Sequence, residues 1–178
     1  MGKKIAVLHP DLGIGGAERL IVDLTHAVMI DNKDTTIWTC HYDPNRCFAD
    51  TKDLKIEQRG SRLPRGLFGF GRIFFSLISF FWLTVCAALQ SGADIFIVDC
   101  ISAWLPILKL LRPKAKIIFY CHFPDLRLAS RNSLIRKIYR LPFDWIESFG
   151  MKFSDLTYVN PNFTDGVVKQ EYGDIPTK

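Results

Sequence analysis

Two hydrophobic rhythms alternate along the chain. Short, nearly continuous apolar runs occur at Lys4–Leu8, Thr35–Cys40, Ile95–Val98, Ile117–Cys121 and Leu156–Val159. They have the β-branched and aromatic character of buried strands. A shorter run at Leu54–Gln58 predicts one more strand. Between them the spacing lengthens. Leu20, Ile21, Leu24, Ala27 and Val28 share one face of a helix over Ala17 to about Met29. Further helices are predicted over Ile101–Leu111, stopped by Pro113, over Ser133–Phe153 with a break at Pro142, and over Phe163–Gln170.

Strands that alternate with helices predict a Rossmann-like α/β fold, a parallel sheet with helices on both faces. Ligands of such sheets bind beyond the carboxyl ends of the strands, where the strand order reverses. If strand one adjoins the Ile95–Val98 strand, the turns at Gly13, Asp99 and His122 open onto one crevice.

One segment breaks the rhythm. Ile73–Leu89 carries no charge and is apolar all round. A simple membrane span there would place parts of one sheet on opposite sides of a bilayer. An interfacial, re-entrant or protein-buried helix keeps the sheet whole. Arg59, Arg62, Arg65 and Arg72 precede it or open it. They suit anionic headgroups or a lipid diphosphate, or else form an ordinary solvated basic loop.

Composition adds to this. Hydrophobic residues are 48% of the 178, with 14 phenylalanines, which points toward lipid or a partner surface. The net charge of +5 favours anionic partners. Five cysteines, an odd number without a CxxC pair, argue against a disulfide framework or zinc motif and for a reducing compartment. The start of the chain is too short and strand-like for a signal peptide.

Two turns carry candidate chemistry. His9-Pro10-Asp11-Leu12-Gly13-Ile14-Gly15-Gly16-Ala17-Glu18-Arg19 leads from strand to helix. Glycines there allow positive φ and close backbone approach, and a helix N-terminus offers N–H groups to an anion. A plain capping turn fits the same residues. Glu18 stands where the dinucleotide fingerprint needs its last glycine, and no Walker lysine follows, so NAD and P-loop sites are disfavoured. That also disfavours an independent nucleotide-binding oxidoreductase. His122, in Tyr120-Cys121-His122-Phe123-Pro124-Asp125, could bond a phosphate or sugar hydroxyl, act as acid or base, or serve structure alone. His9 and His41 also lie near strand ends, whereas His26 sits within a helix.

Taken together, these residues resemble the N-terminal domain of the dolichol-pathway alpha-1,3/1,6-mannosyltransferases, retaining glycosyltransferases of the GT-B fold and of glycosyltransferase family 4. The resemblance rests on the stretch from His9 to Leu20, on Trp38-Thr39-Cys40-His41-Tyr42-Asp43-Pro44, Leu63-Pro64-Arg65-Gly66, Phe119 to Leu126 and Asp144-Trp145-Ile146-Glu147. It implies that residues 1–178 form an acceptor-side domain, with a membrane-associated segment at about 67–89. The donor-binding C-terminal domain would lie outside this chain. It implies GDP-mannose as donor substrate, without a cofactor, and Man1GlcNAc2-PP-dolichol as acceptor. The implied place is the cytosolic face of the endoplasmic reticulum membrane, with other dolichol-pathway mannosyltransferases as candidate partners and no nucleic acid. Gly13, Gly15 and Gly16 match the loop facing the donor diphosphate. His122 matches the histidine beside the transferred sugar, and Arg59, Arg62, Arg65 and Arg72 would meet the acceptor or its headgroup. No metal is expected, since no Asp-x-Asp motif occurs. Pro161 stands where the family usually has serine, and Asn162-Phe163-Thr164 forms a sequon that a cytosolic chain leaves unmodified. A non-catalytic chain that binds the lipid-linked acceptor or partner enzymes is the alternative.

Overall fold

The computed structural model describes residues 2–60, 72–121, 142 and 145–159. Six strands form one sheet: β1 Ile5–Leu12, β2 Thr35–Tyr42, β3 Ile56–Gln58, β4 Ile95–Asp99, β5 Lys116–Cys121 and β6 Leu156–Val159. Their order is β3-β2-β1-β4-β5-β6, and every neighbouring pair is parallel. The expected adjacency of β1 and β4 holds, so the order reverses between them and splits the carboxyl edge there. The predicted helix 163–170 and much of the predicted helix 133–153 lie outside the described residues.

The helices cover both faces. Helix α1, Gly16–Asp31, buries Ile21 and Val22 against Ile5, Val7, Ile37 and Ile97. On the other face α2, Arg72–Gln90, and α3, Leu105–Leu111, pack on Ala6, Leu8, Phe96, Val98 and Phe119. Residues 145–151 are helical too (α4), and Met151 joins that core. The split follows from strand alternation, which sends Leu8 to one face and Val7 to the other. Gly150 lets α4 lie directly on the turn after β4. A Cβ there would overlap the Ser102 carbonyl, while the Ser102 hydroxyl donates to the Glu147 carbonyl at 2.9 Å.

Several boundaries differ from the sequence pattern. Strand β1 continues past Leu8 to Leu12, because β2 runs on and pairs Asp11 with His41 and Leu12 with Tyr42. Pro10 has no paired partner, and β4 ends its pairing at Leu8↔Val98, so the missing proline N–H interrupts an edge and not a central ladder. Helix α3 begins at Leu105, four residues later than the apolar pattern predicted. Ile101 is held in a tight turn by its N–H to the Asp99 carbonyl at 2.8 Å, and Pro106 fits the first helical turn. Strand β3 is the shortest, Ile56–Gln58.

The apolar helix is two-sided. Phe80, Leu83, Ala87 and Ala88 are buried on the sheet, whereas Phe74, Trp82 and Leu89 are exposed. The Trp104 indole ties α2 to the start of α3 through the Leu77 carbonyl at 2.8 Å. Among the described residues no helix is long and apolar enough to cross a membrane.

Asp155 closes the far side of the sheet. It accepts from Lys109 at 2.8 Å, Lys116 at 3.2 Å and the Ile117 N–H at 2.9 Å. Burial opposes its ionisation, yet these donors together bring its pKa down to about 2. A carboxyl lowered on folding stabilises above its unfolded pKa and loses that contribution as pH falls through the folded value. Stability should therefore fall by about 1 kcal/mol between roughly pH 4 and pH 2, after allowance for solvent screening. Urea melts across that range should show a smaller loss in Asp155→Asn than in the wild type.

Candidate functional site at the carboxyl edge

The loop after β1 is short. Gly15 is the N-cap of α1 in an extended conformation, φ −160° and ψ 175°, and no side chain caps the helix. The sequence pattern allowed either positive φ or close backbone approach at these glycines. Gly13, Gly15 and Gly16 all avoid the left-handed region, which among the glycines described here is occupied by Gly60 and Gly92. The glycines serve through space. A Cβ on Gly13 or Gly16 would meet nothing within 4 Å, so the backbone there lies open to a ligand. At Gly15 a Cβ would meet the Glu18 carboxylate, which folds back toward the helix start. There it complements the positive end of the helix dipole.

The break between β1 and β4 holds a buried polar pair. His9 Nδ1 lies 2.7 Å from Asp99 Oδ2, with the side chains 2% and 0% exposed. The two residues are 90 apart in sequence, and the parallel register Leu8↔Val98 sets them side by side one residue further on. Cys100 follows with φ 66°, and its thiol donates to Asp99 Oδ2 at 3.2 Å. A left-handed, non-glycine residue inside an i→i+2 turn is a strained arrangement that its surroundings must hold. Tyr120 lies opposite Asp99 on β5. Burial, and then the Asp99 charge, raise its phenol above the usual tyrosine value.

Beside the glycine loop a cavity of about 380 Å³ opens over the ends of β1, β2 and β3. Asp11, His41, Tyr42, Asp43, Arg46 and Gln58 line it, with Gly13 on its rim. Carboxylates, an amide and a phenol in one pocket suit a ligand rich in hydroxyl groups. The stretch His41-Tyr42-Asp43-Pro44 stood out in the sequence, yet its chemistry became legible only through this pocket. His9 and His41 were visible as strand-end histidines; the Asp99 partner was not.

The other sequence candidates are placed as follows. Arg59 lies away from the crevice. Its guanidinium stacks on Trp38 at 5.6 Å from the ring centroid, pairs with Glu57 at 3.0 Å and donates to Gln90 Oε1 at 3.3 Å. It lines a cavity of about 220 Å³ that also touches Lys4 and Ile5, at the start of β1. Arg72 opens α2. His122, Arg62 and Arg65 lie outside the described residues, as does the sequon. His122 follows Cys121, the last residue of β5.

The cysteines separate by environment. Cys40, Cys86 and Cys121 are buried, Cys47 is half-buried and Cys100 is exposed. Burial, assisted by the Asp11 charge, pushes the Cys40 thiol up to about 12. Only the thiolate reacts with an alkylating agent. Brief iodoacetamide treatment followed by peptide mass mapping should modify Cys100 and Cys47, the two cysteines that are not buried. Cys40 should react only after unfolding.

A parallel sheet with an open glycine loop and a polar pocket at its carboxyl edge defines a Rossmann-like domain of the kind that GT-B glycosyltransferases pair in two halves. The sequence matches Glycosyltransferase Family 4 over residues 14–178, and the chain belongs to that family. It is 42% identical over 172 residues to "Alpha-1,3/1,6-mannosyltransferase ALG2" of Mus musculus, covering 94% of this chain and 41% of that protein. The Saccharomyces cerevisiae protein of that name is 41% identical over 175 residues, covering 96% and 35%. The chain thus spans about two-fifths of the length of the Mus musculus relative. A sucrose-phosphate synthase from Thermosynechococcus elongatus shares the fold, with a TM-score of 0.71 at 13% identity over 99% of this chain and 47% of that one.

Proposed function

We propose that this chain is the acceptor-side part of a retaining mannosyltransferase. It takes mannose from GDP-mannose and builds alpha-1,3 and alpha-1,6 linkages on Man1GlcNAc2-PP-dolichol. The observation that carries this reading is similarity over nearly the whole chain to proteins named alpha-1,3/1,6-mannosyltransferases. The carboxyl edge offers chemistry that fits. Retaining transfer leaves negative charge on the departing diphosphate. N–H groups at the start of α1, unobstructed at Gly13 and Gly16, would receive that charge beside Gly15. His122, next after β5, would orient the transferred sugar. The pocket of Asp11, Asp43, Arg46 and Gln58 would hold acceptor hydroxyls.

The setting follows from the acceptor. Phe74, Trp82 and Leu89 on the outer side of α2 would lie against lipid at the cytosolic face of the endoplasmic reticulum membrane. Arg62, Arg65 and Arg72 would meet anionic headgroups or the lipid diphosphate. Other mannosyltransferases of the same pathway are candidate neighbours. No cofactor is needed for this chemistry.

The test is transfer by the enzyme containing this chain, with a synthetic Man1GlcNAc2 diphospholipid. GDP-mannose should give products with one and then two added mannoses, resolved by mass spectrometry. Asp11→Ala should raise the acceptor KM about tenfold with little change in kcat, the signature of lost ground-state binding. Transfer from another nucleotide sugar in preference to GDP-mannose would overturn the reading.

A further inference from the structure

We infer that His9, Asp99 and Cys100 form a binding site for a single thiophilic divalent cation such as Zn2+. Their ligand atoms, an imidazole nitrogen, a carboxylate oxygen and a thiol sulfur, all lie within 4.8 Å of one another. Zinc bonds of 2.0–2.3 Å in a tetrahedron put such donors about 3.3–3.6 Å apart. The two hydrogen-bonded separations are somewhat shorter than that spacing: His9 to Asp99 is 2.7 Å and Cys100 to Asp99 is 3.2 Å. A cation taking the place of the hydrogen-bonding protons would spread both pairs by about 0.3–0.6 Å.

Three features favour a cation here over an ordinary polar cluster. The donors differ in kind, and nitrogen, oxygen and sulfur together suit a borderline-soft ion better than Mg2+ or Ca2+. Two of them are fixed, since His9 and Asp99 are almost wholly buried on adjacent central strands. The third is reachable from solvent, because the left-handed turn at Cys100 leaves that residue exposed while its thiol faces Asp99. The cluster thus has a rigid base and an entry side. Among the described residues three donors converge, which leaves the fourth position of a tetrahedral site to a further ligand. The inference concerns binding alone and stands apart from the transferase reading.

The test uses Co2+ as the spectroscopic stand-in and Zn2+ in competition with a chromophoric chelator, on the chain after chelator treatment and dialysis. One equivalent of Co2+ should give visible bands of tetrahedral type and a sulfur-to-cobalt charge-transfer band, all displaced by Zn2+. Cys100→Ser should abolish the charge-transfer band and weaken Zn2+ binding by at least about tenfold, since losing even a residue that only supports a ligand costs that much. Because Cys100 is exposed, that variant should keep its fold, which circular dichroism checks. Cys47→Ser should bind as the wild type does. No charge-transfer band in the wild type, undiminished Zn2+ affinity in Cys100→Ser, or loss of the band in Cys47→Ser would each overturn the inference.

Discussion

In the proposed transferase containing this chain, Gly16→Pro should lower mannosyl transfer by about 100- to 1,000-fold while helix α1 stays formed. Proline is accepted at the first position of a helix, where its fixed φ is already helical and its missing N–H has no intrahelical partner. Gly16 holds that position, and Gly15 before it is extended, the conformation a following proline requires. A Cβ at Gly16 would meet no neighbour. The substitution therefore removes one backbone N–H from the helix start and little else. Loss of a single donor to developing negative charge costs two to three orders of magnitude in comparable sites. The effect should fall on kcat, with unchanged circular dichroism and a similar melting temperature. Gly16→Ala, which keeps the N–H, should retain most activity. Wild-type turnover in the proline variant would remove the diphosphate role from this loop.

Asp99→Ala should destabilise the fold by about 3 kcal/mol. His9 is 2% exposed and sits 2.7 Å from the Asp99 carboxylate, so truncation strips a buried imidazole of a short hydrogen bond. An orphaned buried polar group costs about 1–3 kcal/mol, and breaking a buried charged pair reaches about 3–5 kcal/mol. For a chain of this length the loss corresponds to roughly 6–10 °C in melting temperature. The double variant His9→Leu, Asp99→Leu should recover much of the deficit, because it removes both polar groups together. A single variant within about 0.5 kcal/mol of wild type, the range of an ordinary surface change, would show that the pair anchors nothing.

The fold was legible because its signal is local. Runs such as Ile95–Val98 and Ile117–Cys121 are apolar at every position, as strands buried on both faces must be. The stripe at Leu20, Ile21, Leu24 and Val28 marked α1 equally well. Boundaries failed where tertiary partners decide them. His9-Pro10-Asp11 reads as a loop, yet pairing with β2 keeps it in the sheet. Ile101 is apolar enough for a helix, yet the turn at Cys100 holds it outside α3. Arg59 read as one of four basic residues for a headgroup or lipid diphosphate, or as part of a solvated loop; Trp38, Glu57 and Gln90 engage it toward the other edge of the sheet.

The glycine loop divides the same way. Its sequence marked the junction of β1 and α1 and the chance of an anion there. It also offered two reasons for glycine, positive φ and close backbone approach, of which the structure shows open space and no positive φ. By itself, then, the sequence determined the alternating order of elements, the family resemblance and the glycine turn, since each depends on residues close together in the chain. Only the tertiary structure joined His9 to Asp99 across 90 residues, set Cys100 beside them and gathered Asp11, His41 and Gln58 around one cavity. Parallel strands place distant residues at the same height of a sheet. Which ones meet depends on strand order and register, which no local pattern of apolar and polar residues encodes.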